Sequence, residues 1–215
     1  MLSVLFEQPL IFVVWVLAFL LALSVHEFSH ALVGFWLGDE TAKRLGRLTL
    51  NPMAHIDPIG LAAVLLIGFG WGKPVPYNPY SLKWPKWGPV AVAVAGPMSN
   101  LIMGTVATAL LAAFGSALGA NNLLTIFLFI SAQLNIALLA FNLIPLPPLD
   151  GSKVLLALLS HPKYAAARAF IESRGPSILF CIILLDSFLG LGLFNALFHF
   201  VIGIVTGIVG LPAFL

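Results

Sequence analysis

PLIFVVWVLAFLLALSVHEFSHALVGFWL, residues 9–37, carries one charged side chain, Glu27, in its whole length. A helix needs about 20 mainly apolar residues to cross a bilayer, so this stretch reads as a spanning helix with polar groups set into its second half. On a helix, residues i and i+4 share a face, which lets His26 and His30 present both imidazoles to one ion. Glu27, one step round, reaches a water on that ion without being a ligand. The order His26-Glu27-x-x-His30 is the H-E-x-x-H pattern of zinc hydrolases, two ligands and a general base. Ionisable groups inside a membrane helix are costly, and the default reading of them is functional.

The rest of the chain has the same character. Of 215 residues, 60% are hydrophobic and 8% charged, against roughly 25% charged in a soluble domain. The class is an all-α polytopic membrane protein, expected to form a single membrane-embedded unit over residues 1–215. A net charge of +2 without a basic block argues against nucleic acid as a partner. The one cysteine, Cys181, supports neither an internal disulfide nor a cysteine-based zinc site, so any metal is left to histidine and carboxylate. The N-terminus lacks the basic region and cleavage site of a signal peptide, and the first apolar run itself holds the motif.

Further spans are expected at about 87–118, 122–144, 176–193 and 194–211, which with 9–37 makes about five. Ile59–Trp71 is apolar but short for a crossing and reads as a re-entrant or sixth membrane element. Segments 38–58, 77–86 and 161–174 are polar. A proline-rich break at 145–148 leads to Asp150-Gly151 and a short amphipathic piece. All ten Lys and Arg fall within 43–86 and 153–174. The positive-inside rule then puts the N-terminus outside and the motif towards the cytoplasmic side.

Two histidines hold zinc poorly, and a catalytic site has three protein ligands and an open position. His55, Asp57, Asp150, Asp186, His161 and His199 are the candidates for the third. Asp150 is best placed, since it follows the third long span at the depth where the motif helix ends. The prolines before it break the helix, which a membrane tolerates where the freed backbone lines a cavity. The other reading of Asp150 is an N-cap for the helix starting at Gly151.

Three motifs in order, His26-Glu27-x-x-His30, Gly96-Pro97-x-x-Asn100 and Asn142-x-x-Pro145-x-x-x-x-Asp150-Gly151, resemble the site-2 protease family of intramembrane zinc metalloproteases. The resemblance covers roughly residues 15–155. Asn51-Pro-x-x-His55-x-Asp57-Pro is similar to a feature of a compact bacterial and archaeal branch without PDZ or CBS domains. The family resemblance implies one Zn2+ per chain, held by His26, His30 and Asp150 between the first, second and third main spans, with Glu27 as general base. It implies a three-helix catalytic core at about 9–155 and C-terminal helices at about 176–211. Asn142, Asn135 and Asn100 are candidates for substrate contact or for sharing oxyanion charge; the other reading of Asn100 and Asn135 is interhelical hydrogen bonding. His55 is a candidate fourth ligand, substrate-loop residue or turn residue paired with Asp57.

The implied activity is hydrolysis of peptide bonds within or next to the transmembrane segment of single-pass proteins, in a prokaryotic cell membrane; homo-oligomerisation is left open. A substrate helix must unwind before it is cut, and Gly70–Pro79 is expected to offer it a strand edge. The rival readings are a metal-ion transporter that uses the same His/Glu/Asp cluster as a transit site, and a catalytically silent family member. Glu27 favours hydrolysis, because a transit site needs no general base.

Overall fold

The computed structural model describes residues 2–67 and 70–209. Among these the chain is helical, with one isolated antiparallel bridge between Ile56 and Gly72 and no strand. A short helix α1 (Leu2–Glu7) leads into α2 (Pro9–Trp36), which starts on Pro9, a position where the missing N–H costs nothing. Two short helices follow, α3 (Thr41–Arg44) and α4 (Pro58–Ile67), before the long α5 (Gly88–Leu118) and α6 (Leu123–Asn142). Helices α2, α5 and α6 are each long and apolar enough to cross a membrane. They match the first three expected long spans to within a few residues.

These three helices pack on one another. Their inner faces are built from small and polar residues, Ala18, Ala22, Ser24 and Ala31 on α2 and Gly96, Asn100 and Gly104 on α5. Small residues let helices approach closely where apolar burial gives no net drive towards association. Large apolar side chains point outward instead, among them Leu10, Leu17, Ile102, Val106 and Leu124. That inversion suits a lipid surround.

Helix α4 has 10 residues, about 15 Å at 1.5 Å per residue, which is too short to cross. Its chain returns to where it began. Gly72 bridges back to Ile56, and a side chain on Gly60 or Gly70 would collide with the other limb of the turn. The expected re-entrant element is therefore a hairpin with adjacent ends; residues 68 and 69 of it lie outside the described residues.

The C-terminal third departs from the sequence reading. After α7 (Gly151–Leu158), helix α8 (Ala165–Leu189) begins inside the basic segment, where an alanine run and an Arg168–Glu172 pair at 3.0 Å support helix. Helix α9 (Leu193–Val209) then turns off at 101°. Gly190 and Gly192, both at positive φ, make that corner. Asp186 accepts from the Leu193 and Phe194 amides at 2.7 and 3.4 Å, so this carboxylate caps α9. The described helices thus supply three single crossings, and a fourth where the bent α8–α9 pair counts as one. Five spans are expected; α8 has 25 residues but starts among Arg168, Glu172 and Arg174, α9 has 17, and the glycine corner joins the two into a bent pair; residues 210 and 211 of the last expected span lie outside the described residues.

Candidate metal centre and active site

His26 and His30 lie one turn apart near the C-terminal end of α2. The N-terminal third of α5 passes them, and the connection from α6 to α7 brings in Asp150. One ligand atom from each of the three residues lies within 4.8 Å of the others. The two Nε2 atoms are 3.0 Å apart, and Asp150 Oδ2 is 3.3 Å from each. Tetrahedral zinc with bonds of about 2.0–2.1 Å sets its ligand atoms about 3.3 Å apart. Asp150 occupies the N-cap position of α7 without making a capping bond, and its buried Oδ2 accepts no hydrogen bond. The capping alternative is not realised.

The far sides of the imidazoles fix their tautomers. Asn135 Nδ2 donates to the Ser131 carbonyl at 2.8 Å, which leaves Asn135 Oδ1 to accept from Asn100 Nδ2 at 2.8 Å. Asn100 must then turn its oxygen to His26 Nδ1, 2.5 Å away, so that nitrogen carries the proton. His30 Nδ1 faces the Val92 carbonyl at 2.7 Å and is a donor for the same reason. Both Nε2 atoms are left with lone pairs, so three acceptors converge with no donor between them. A cation at their centre resolves that arrangement, and partners of this kind orient metal-bound histidines. The donor set fits zinc.

Gly96 makes room for the cluster. A Cβ at this position would lie 2.6 Å from His26 Cε1 and closer still to His30 Nε2. Glu27 is buried beside the histidines, and its Oε2 accepts from the Val75 amide at 3.0 Å. The four side chains line a cavity of about 690 Å³, walled also by Asn142, Tyr77 and Lys153 and by Leu179 and Phe180 of α8. Burial and the Asp150 charge both push the Tyr77 phenol above its ordinary pKa. Asn142 lines the cavity with its Nδ2 bonded to the Leu138 carbonyl at 3.1 Å, which keeps a second N–H in hand.

Asn100 and Asn135 are buried behind His26 and bonded to each other, so they are placed to orient that imidazole. His55 is fully buried away from the cluster. Its Nε2 donates to the Thr49 carbonyl at 2.7 Å, and its Nδ1 faces Arg47 Nη2 at 3.4 Å, not Asp57. Asn51 caps the turn at Pro52–Ala54 through the Met53 amide, and Asp57 caps α4 through the Ile59 and Gly60 amides. The Asn51-to-Pro58 motif is, in structure, a set of caps around a pinned histidine.

Part of the strand edge expected between Gly70 and Pro79 is already in use. Within it, Lys73 N, Lys73 O, Pro74 O, Val75 N and Asn78 N all bond to groups of the protein itself. That leaves chiefly Val75 to Tyr77 for pairing with another chain. Sequence reasoning missed Arg47, which it reads as an orientation charge. The side chain is 5% exposed; burial pulls its guanidinium below the ordinary pKa, and the Glu27 charge pulls it back up. It also missed the backbone partners Val92 O and Val75 N, which no side-chain motif can reveal.

Comparison with known proteins identifies the family. Residues 115–185, which include Asn142 to Gly151, match the model of peptidase family M50. The chain is 42% identical over 165 residues to YwhC of Bacillus subtilis (strain 168), whose name classes it with the zinc metalloproteases; the match covers 74% of this chain and 75% of that one. It is 28% identical to Rip2 of Mycolicibacterium smegmatis and to Rip2 of Mycobacterium tuberculosis (strain ATCC 25618 / H37Rv), named in the same way. These matches cover 81% and 82% of this chain and 67% and 70% of theirs. No solved structure matches the chain significantly. With a relative this similar along most of both chains, and with three donors arranged as zinc requires, the chain belongs to peptidase family M50 and is a multi-pass zinc metalloprotease.

Proposed function

We propose that this metalloprotease is an intramembrane endopeptidase that cuts single-pass membrane proteins within or next to their transmembrane segments. The observation that carries the reading is the location of three converging acceptors and a buried glutamate among helices whose outer faces are apolar. A peptide bond that reaches this cavity comes from a chain already in or at the bilayer. His26, His30 and Asp150 hold the metal, in one unit spanning residues 1–215. The N-terminus lies outside a prokaryotic membrane and the site faces the cytoplasmic side.

Zinc, when bound, supplies the Lewis acid that acidifies water and polarises a carbonyl. Glu27 takes the proton of the attacking water and passes it to the leaving amine. Asn142 donates its remaining N–H towards the charge developing on the scissile carbonyl oxygen. The helices around the cavity keep bulk water from the carboxylate and the histidines.

The test is a paired measurement on protein purified in detergent, zinc per chain and cleavage of a panel of single-pass substrates, for wild type and Glu27→Gln. Zinc near one per chain in both, with cleavage lost in Glu27→Gln, is the expected result. Equal cleavage by Glu27→Gln removes the general base, and zinc flux across vesicles that survives Glu27→Gln favours the transit site. A second expectation concerns the imidazole orientation. Asn100→Ala removes the acceptor on His26 Nδ1, and zinc affinity measured by chelator competition falls about 10- to 100-fold; an unchanged affinity would leave Asn100 a packing residue.

A further inference from the structure

Arg47 is buried, yet its bonds go to backbone and not to a carboxylate. Its Nη1 donates to the Pro74 carbonyl at 3.0 Å and its Nη2 to the Lys73 carbonyl at 2.5 Å. His55 stands beside it. Since His55 Nε2 donates to Thr49 O, its Nδ1 is free to accept from Nη2, and the His55 carbonyl accepts the Lys73 amide at 2.8 Å. Five residues along the same segment, Asp39 Oδ2 accepts the Asn78 amide at 2.7 Å. Asp39 is itself 2% exposed and tied to Thr41 N and Oγ1 at 3.0 and 2.6 Å.

Between these two anchors lies Val75, whose amide holds Glu27. Pro74 and Pro76 flank it, so Val75 carries the one N–H between Lys73 and Tyr77. The prolines also fix φ on both sides. Among the described residues this is the one hydrogen bond the Glu27 carboxylate makes. A long carboxylate side chain in a cavity of this size otherwise samples several rotamers, and a displacement of about 1 Å at a reacting group can cost about 100-fold in rate.

We propose that Arg47, with Asp39 at the far end, is a positioning residue for the hydrolysis. It clamps residues 73–78 into a rigid strap whose Val75 amide fixes Glu27 Oε2 and leaves Oε1 to receive a proton. Adjacent carbonyls suit a planar guanidinium fork and not a single ammonium. This rests on Glu27 acting as general base, and it assigns the buried charge a role at that same site.

The test uses the full-length, zinc-loaded chain in detergent. Four quantities are read: zinc per chain, kcat and KM on a substrate the wild type cleaves, and hydrogen–deuterium exchange of the peptide covering residues 71–80. Arg47→Ala is expected to lower kcat about 10- to 100-fold with KM and zinc content near wild type. The Lys73, Val75 and Asn78 amides exchange faster while α5 and α6 keep their protection. Added guanidinium ion restores part of the lost kcat in this variant and none in wild type. Where Arg47→Ala does not fold, Arg47→Lys carries the test, since it keeps the charge but loses the fork; its kcat falls and its strap exchanges faster. A wild-type kcat with an unchanged strap overturns the inference, as does a kcat loss that merely follows zinc loss. The exchange measurement needs no turnover. An inactive wild type therefore sinks the endopeptidase reading, whereas an unchanged strap in Arg47→Ala sinks this one.

Discussion

Asp150→Ala is expected to leave the purified protein nearly free of zinc and without proteolytic activity, while its helices stay intact. The two Nε2 atoms and Oδ2 form a triangle with edges of 3.0, 3.3 and 3.3 Å. Removing one corner leaves two neutral imidazoles, which hold zinc poorly and carry no charge to balance the ion. The loss exceeds the 10- to 100-fold typical of a supporting partner, because a ligand itself is gone. Helical content is spared because Asp150 makes no capping bond to α7. Zinc per chain and far-UV circular dichroism on the same sample separate the two effects. Asp150→Asn sharpens the test, since it keeps shape and one oxygen while dropping the charge; it is expected to hold zinc more weakly than wild type and more strongly than Asp150→Ala. Full zinc occupancy in Asp150→Ala would mean that another donor completes the site, and Asp150 would lose its place in it.

What was legible from the sequence follows the range of the interactions involved. The i, i+4 spacing of His26 and His30 is a property of one helix, so any reader of residues 9–37 arrives at the same two-imidazole face. Asp150 required three elements to meet, and its position after the third long span was enough to rank it first. The short element 59–71 was legible by length alone. The strap was not. Its anchors, Arg47 and Asp39, sit among exposed charges such as Arg44 and Glu40, which pair on the surface at 3.0 Å, and no local pattern separates buried from solvated members of that group. Asn100 and Asn135 are site candidates by sequence, but their order in a hydrogen-bond chain depends on how α5 and α6 register against each other. At the C-terminal end the corner is written in the sequence. Gly190-Leu191-Gly192 is a corner, and Asp186 before it is placed to cap whatever helix follows.

Gly96→Ala is expected to abolish zinc binding and cleavage with one methyl group, in a protein that remains folded. Alanine is a better helix former than glycine by about 1 kcal/mol, so α5 gains in local propensity. The cost falls on the site. The new Cβ would lie 2.6 Å from His26 Cε1 and nearer to His30 Nε2, inside the 3.0 Å that real Cβ contacts essentially never breach. The imidazoles have nowhere to retreat, because Asn100 holds His26 Nδ1 and the Val92 carbonyl holds His30 Nδ1. Relief requires either breaking those bonds, which frees the tautomers, or pushing α5 away from α2, which opens the donor triangle. Both routes remove zinc. Gly115→Ala is the matched control, further along α5, where the added carbon meets Leu111 Cδ1 at 3.2 Å and Thr125 Cγ2 at 3.8 Å. The first contact is tight, but both lie away from the metal ligands, so zinc content is expected to stay near wild type. Zinc retained at one per chain by Gly96→Ala would show that α5 can shift without disturbing the histidines, and the close approach of Gly96 would then be a packing feature and no part of the metal site.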